Sequence, residues 1–283
     1  MGFKLFGVGF LAALLLLLPT LANTNSGNEP GATWTLRVLG FNDLKRVAYG
    51  NGLFVAVGGS PSRGSPLNIG IYYDFPVVYT SPDGVEWTEQ FLPTSIWLPK
   101  SYWLEGVTYG NGLFVAVGWI GAIFTSPDGV NWTSRFSPTF SPLYSVTYGN
   151  GRFVAVGYNG TILTSPDGET WTKRTSPTSE DLNGVTYGNG LFVAVGYNGT
   201  ILTSPDGETW TKRTSPMAGW IEGVTYGNGL FVAVGYNGTI LTSPDGETWT
   251  KRTSPTSNFL NGVTYGNGRF VAVGWRGTVL TSP

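Results

Sequence analysis

The 283-residue chain contains no cysteine and no histidine. Without thiols there is no disulfide, no thiolate nucleophile and no cysteine to acylate. Without imidazole the commonest general base and the commonest transition-metal ligand are missing. Charge is sparse as well: 16 basic and 17 acidic residues leave a formal charge of −1. No Lys/Arg run is longer than the pair Lys173-Arg174 and its copies, which argues against a nucleic-acid partner. These absences exclude much of enzymology, and neither a cofactor nor a metal is expected. The one long apolar run, Phe6 to Leu18, follows Lys4 and breaks at Pro19. It falls short of the about 20 residues a membrane span needs. Small and polar residues follow through Ala22, so residues 1–23 read as a signal peptide and 24–30 as a short linker, with an uncleaved anchor as the alternative. The remainder, 31–283, is expected to be secreted or to reside in the periplasm or cell envelope, without stable membrane insertion after cleavage.

Glycine (42) and proline (18) are plentiful, and they sit at fixed offsets. Tyr-Gly-Asn-Gly begins at Tyr49, Tyr109, Tyr148, Tyr187, Tyr226 and Tyr265, with the last four intervals all 39 residues. A period of that length marks a repeat architecture. In the copy from Gly184 to Pro216, Asn189-Gly190 and Asn198-Gly199 each separate two apolar or β-branched runs, the signature of tight hairpins whose turn residues need positive φ. Ser204-Pro205-Asp206-Gly207 makes a third turn before Trp210-Thr211-Lys212-Arg213. The unit therefore predicts four short antiparallel strands, A to D, which is a propeller blade. Phe192, Trp210 and their copies are expected to pack between blades, and Lys212 and Arg213 to protect the outer edge by their charge.

Six tryptophans followed by threonine, at Trp34, Trp87, Trp132, Trp171, Trp210 and Trp249, give six D strands. The last copy runs only to Thr281-Ser282-Pro283, whereas Trp34-Thr35 has no strands A to C before it. The expected fold is all-β: a six-bladed β-propeller of four-stranded antiparallel blades, its ring closed by the N-terminal strand completing the C-terminal blade. A truncated solenoid is the competing arrangement.

The turn Ser-Pro-Asp-Gly-x-x-Trp resembles the Asp-box of bacterial neuraminidase repeats, although one residue shorter between Asp and Trp. The longer string from Ala194 to Trp210 is similar to repeats of the photosystem II stability factor and its bacterial relatives. The resemblance implies an Asp-box-type, sialidase-like propeller in which Asp83, Asp128, Asp167, Asp206 and Asp245 tie down their own turns. It does not carry the sialidase catalytic set, because the arginines at 174, 213 and 252 are repeat copies and no Tyr/Glu nucleophilic pair is recognisable.

From Tyr148 to Pro177, Tyr187 to Pro216 and Tyr226 to Pro255 the copies differ only at Arg152, Leu191 and Leu230. Variation gathers in the D–A connections and in the long B–C loop of the first blade, which emerge on one face of the disc. That face is expected to bind a protein or glycan. Its candidate residues are the aromatics Tyr72, Tyr73, Trp97, Trp103, Tyr144, Trp220 and Phe259, with Tyr102 and Phe140 beside them. A ring of residues two before the strand A valine joins them at the channel mouth: Lys45, Glu105, Tyr144, Asn183, Glu222 and Asn261. No catalytic residue is assigned; Glu105 and Glu222 are the nearest to an acid/base pair, two blades intervening between them. The alternatives are a glycoside hydrolase with its site at the channel mouth, and a multivalent lectin using the recurrent Trp119, Tyr158, Tyr197, Tyr236 and Trp275 between blades. Asn131, Asn159, Asn198 and Asn237 lie in Asn-x-Thr sequons, usable only in a eukaryotic secretory pathway.

Overall fold

At Asn189 φ is 49° and at Gly190 76°, and at Asn198 and Gly199 the values are 52° and 68°. Two successive left-handed residues make the type I′ geometry that matches strand twist, so each Asn-Gly closes a hairpin. The strands of this copy are Leu182–Gly188, Leu191–Gly196, Ile201–Ser204 and Thr211–Arg213, paired antiparallel in that order. The structure, a computed structural model, describes residues 42–60, 75–93 and 102–282. Across these residues the protein is an all-β, six-bladed propeller, with five four-stranded sheets, blade 1 (Asp43–Gln90), blade 2 (Leu104–Ser134), blade 3 (Leu143–Arg174), blade 4 (Leu182–Arg213) and blade 5 (Ile221–Arg252), and a sixth, blade 6 from Leu260 to Ser282, of three strands. The expected signal peptide, the linker and the strand around Trp34 lie outside the described residues.

Each blade meets the next through one repeated core. The back of blade 3 offers Val154, Val156 and Ile162 to Leu182, Val185, Phe192, Ala194, Leu202 and Trp210 on the front of blade 4. The same partition recurs between blades 2 and 3 and between blades 4 and 5. Close approach of the inner strands is set by glycine: a Cβ on Gly110 would overlap the ring of Tyr148, and Gly149, Gly188 and Gly227 likewise seat Tyr187, Tyr226 and Tyr265. Only a residue without a Cβ leaves room for that ring.

The cations of strand D do more than guard an edge. Arg174 donates from Nε to Thr164 Oγ1 (2.8 Å) within its blade and from Nη2 to Glu208 Oε1 (2.9 Å) in the next. Arg135 with Glu169 and Arg213 with Glu247 repeat the bond between blades. To the expected edge protection the structure adds a second role: the outer strand lies beside the neighbouring blade's C–D turn, and the arginine joins the two.

Candidate functional site

The A–B and C–D turns form one face. There Asp206 Oδ1 accepts from Ser204 Oγ (2.9 Å) and from the backbone N–H groups of Glu208 (2.8 Å) and Thr209 (2.9 Å), while Trp210 Nε1 donates to Gly207 O (2.8 Å). Asp83, Asp128, Asp167 and Asp245 make the same local pattern. Backbone donors hold all five carboxyls below the ordinary aspartate range, Asp245 at about 2.

On the opposite face every innermost strand carries a β-bulge. In blade 4 Leu182 faces Gly196 and Gly184 faces Val195, so Asn183 is the extra residue. The same break falls on Lys45, Glu105, Tyr144, Glu222 and, in blade 6, Asn261. A bulge frees one side chain from the alternation of the strand and re-aims it. All six sequence-predicted ring residues are bulge residues, and hydrogen bonds and charge interactions connect five of them, Lys45, Glu105, Tyr144, Asn183 and Glu222.

Hydrogen bonds and fields link the ring. Trp119 Nε1 donates to Glu105 Oε1 (2.8 Å), and Asn183 Nδ2 donates to Ile221 O (3.0 Å) and Glu222 Oε2 (3.3 Å) in the next blade. Arg46 Nη1 donates to Lys45 O (3.0 Å), and Lys45 Nζ sits 4.6 Å from the centre of the Trp103 ring, in cation–π range. Desolvation pushes the Glu222 carboxyl up to about 7, opposed by Arg46 and reinforced by Glu105. Desolvation also raises Glu105, against Lys45, Trp119 and Arg46. The two glutamates therefore share one electrostatic environment despite the two blades between them. Tyr144 is raised by burial and by Asp181 and Glu105.

Beside the ring the aromatics form a continuous band over blades 4 to 6. Tyr197 and Trp220 lie 4.3 Å apart, Trp220 and Phe259 6.4 Å, and Phe259 stacks on Trp275 at 5.3 Å. Trp220 keeps 43% of its surface exposed, and Phe259 is half-buried beneath it. Phe140 is exposed, whereas Tyr102 turns inward and stacks on Phe124, so it belongs to the core. Tyr72, Tyr73 and Trp97 lie outside the described residues. Sequence reasoning missed Arg46 and Asp181; the latter accepts the Asn159 N–H at 2.7 Å. Their only signal was nearness to a ring position, Arg46 next to Lys45 and Asp181 two residues before Asn183. Among the described residues no three His, Cys, Asp or Glu side chains are grouped to hold a metal, and no helix is long and apolar enough to cross a membrane.

The family described as the DUF6242 beta propeller domain matches residues 157–259. That is under half of the chain. Among solved structures, YCF48 bound to a D1 peptide superposes with a TM-score of 0.65 at 16% identity, over 87% of this chain and 79% of that one. YCF48 from Cyanidioschyzon merolae gives 0.60 at 20% identity, over 85% and 80%. The computationally designed Ika8 protein gives 0.59 at 12% identity, over 84% and 70%. At these identities the likeness is one of fold. No curated protein sequence matches the chain.

Proposed function

We propose that this propeller is an exported, non-catalytic binding module that takes a protein segment on the D–A and B–C face. The observation that carries it is the partly exposed aromatic band from Tyr197 to Trp275, running beside six polar bulge residues of four kinds. Apolar, rigid rings supply contact area at low entropic cost, and the ring supplies directional hydrogen bonds and charge. The YCF48 fold neighbour bound to a D1 peptide supports a peptide as the kind of occupant. Panning a random-peptide display library against the immobilised protein should select segments that bind the wild type. Trp220→Ala with Phe259→Ala should then weaken binding about tenfold or more, as truncating a central aromatic pair does. Binding untouched by that change would place the partner elsewhere and end this reading.

The buried, raised carboxyl of Glu222, to whose shift Glu105 adds, favours one second reading, a glycoside hydrolase at the channel mouth. It requires hydrolysis of some oligosaccharide by the wild type and its loss in Glu222→Gln.

A further inference from the structure

Two of the six bulge residues are carboxylic acids, and each is held by one oxygen. Glu105 Oε1 accepts from Trp119 Nε1 (2.8 Å), and Glu222 Oε2 accepts from Asn183 Nδ2 (3.3 Å). The second oxygens, Glu105 Oε2 and Glu222 Oε1, accept no hydrogen bond from the described residues, and neither is sealed from solvent. Nor does either carboxyl enter an ion pair among the described residues, although Arg135, Arg152, Arg174 and Arg213 all pair with glutamates elsewhere. Lys45 and Arg46 act on both glutamates without a salt bridge to either, and the Lys45 ammonium is held over the Trp103 ring instead.

Aromatic rings stand beside these acids. Trp220, two residues before Glu222, is 43% exposed and lies 4.3 Å from Tyr197. Asp181 is fastened between two neighbouring tyrosine turns: its Oδ1 accepts the N–H of Asn159, next to Tyr158, and its backbone O accepts the N–H of Tyr197 (2.9 Å). Tyr197 lies in the fields of both Asp181 and Glu222, and Tyr144 in those of Asp181 and Glu105.

We infer that the segment bound on this face carries a lysine or arginine side chain whose cation is received by Glu222 Oε1 beside the Tyr197 and Trp220 rings, with Glu105 and Asp181 adding to the field. This occupant presupposes the binding reading above and gives it a chemistry.

A cation fits better than a neutral group such as a sugar hydroxyl, for three reasons. First, each glutamate makes ionisation of the other costlier, and burial adds to that cost. An entering positive charge offsets both effects, and a hydroxyl offsets neither. Second, a charged head can stack on the faces of Tyr197 and Trp220 while the apolar stem of lysine or arginine lies along the same rings. Third, the set occurs once. The position of Trp220 is held by Trp103, Pro142, Asp181 and Phe259 in other blades, and that of Glu222 by Tyr144, Asn183 and Asn261 in blades 3, 4 and 6. A single acceptor beside a long aromatic band suits one side chain of one segment, not a sugar repeated at every blade.

Two random-peptide libraries test this, one of full composition and one without lysine and arginine, both displayed within a closed loop so that no free amino terminus is present. Panned against the immobilised protein, the first should yield binders that share a lysine or arginine position and that Trp220→Ala with Phe259→Ala weakens. The second should yield none of that kind. Replacing the shared cation of a selected peptide with methionine should lower its affinity about tenfold or more, as removing one partner of a buried charge pair does. Glu222→Gln should do the same and Glu105→Gln should cost less. The methionine peptide should lose little further on Glu222→Gln, a coupling that a general disturbance of the fold does not produce. Glu222→Asp, which keeps the charge, should recover part of the loss.

Binders that the aromatic double variant weakens, yet which share no cation or whose cation shows no coupling to Glu222, overturn the inference and leave the binding reading standing. If neither library yields a binder sensitive to the aromatic pair, the binding reading fails and the cation falls with it.

Discussion

The ring of Tyr226 in blade 5 occupies the space that a Cβ on Gly188 of blade 4 would take. An added methyl would meet Cβ, Cγ and Cδ1 of Tyr226, the root of the side chain and not a free end that can swing aside. Gly188→Ala should therefore destabilise the protein by about 1–3 kcal/mol, the usual range for overpacking. Chemical denaturation followed by tryptophan fluorescence measures it. Gly190→Ala is a poor control because Gly190 needs positive φ; Gly262→Ala suits better, since nothing lies within 4 Å of its added methyl.

Ile120 holds φ at 56° in the B–C turn of blade 2, where blades 3, 4 and 5 use Asn159, Asn198 and Asn237. A β-branched residue pays about 1–2 kcal/mol to sit in the left-handed region, and asparagine pays less. Ile120→Asn should raise the thermal midpoint. A fall would mean that the partial packing of Ile120 on the blade 1–2 core outweighs the backbone strain.

Five Asp turns make the fold acid-sensitive. Each carboxyl is held below its ordinary value of 3.8 by backbone donors, so the stabilisation is complete above that value and is lost as pH falls through the folded one, about 2 for Asp245. Acid unfolding should set in below about pH 4. Asp206→Asn, which keeps an acceptor oxygen but cannot ionise, should weaken the pH dependence in that window more than it lowers stability at neutral pH.

Glu222 has the opposite sign. Its carboxyl is raised from 4.5 to about 7, so the fold prefers the protonated form: this contribution is complete below 4.5 and is lost as pH rises through about 7. Arg46 and Lys45 oppose the shift and Glu105 adds to it. Glu222→Gln should stabilise the protein at pH 8 relative to wild type and leave it nearly unchanged at pH 4. Equal effects at both values would show that folding leaves the Glu222 carboxyl at its ordinary value.

The turns were the legible part of this fold. Asn-Gly and Ser-Pro-Asp-Gly demand backbone angles that few other residues adopt, so Asn189, Gly190 and Gly207 could be assigned their conformation from identity alone. Blade order and the placement of Phe192 and Trp210 between blades followed from the period. The bulges were not legible, because an extra residue has no signature until the partner strand's register is known; Asn183 was found by counting back from Val185, for a reason the sequence does not contain. The pairing of Arg174 was not legible because its partner Glu208 lies 34 residues on, a distance that becomes contact only when two blades stand side by side. The proximity of Glu105 to the field of Glu222 likewise depends on the diameter of the channel, which no local pattern encodes.

Lysine, glutamate, tyrosine and asparagine all occupy the bulge position with the flanking register unchanged. A site that no core contact depends on can be rewritten one codon at a time, while every copied blade still arrives with its turns, glycine seats and cores complete. Duplication then supplies the scaffold without specifying its selectivity, and the six bulges act as separately replaceable settings, coupled through their charges, on a frame that stays constant.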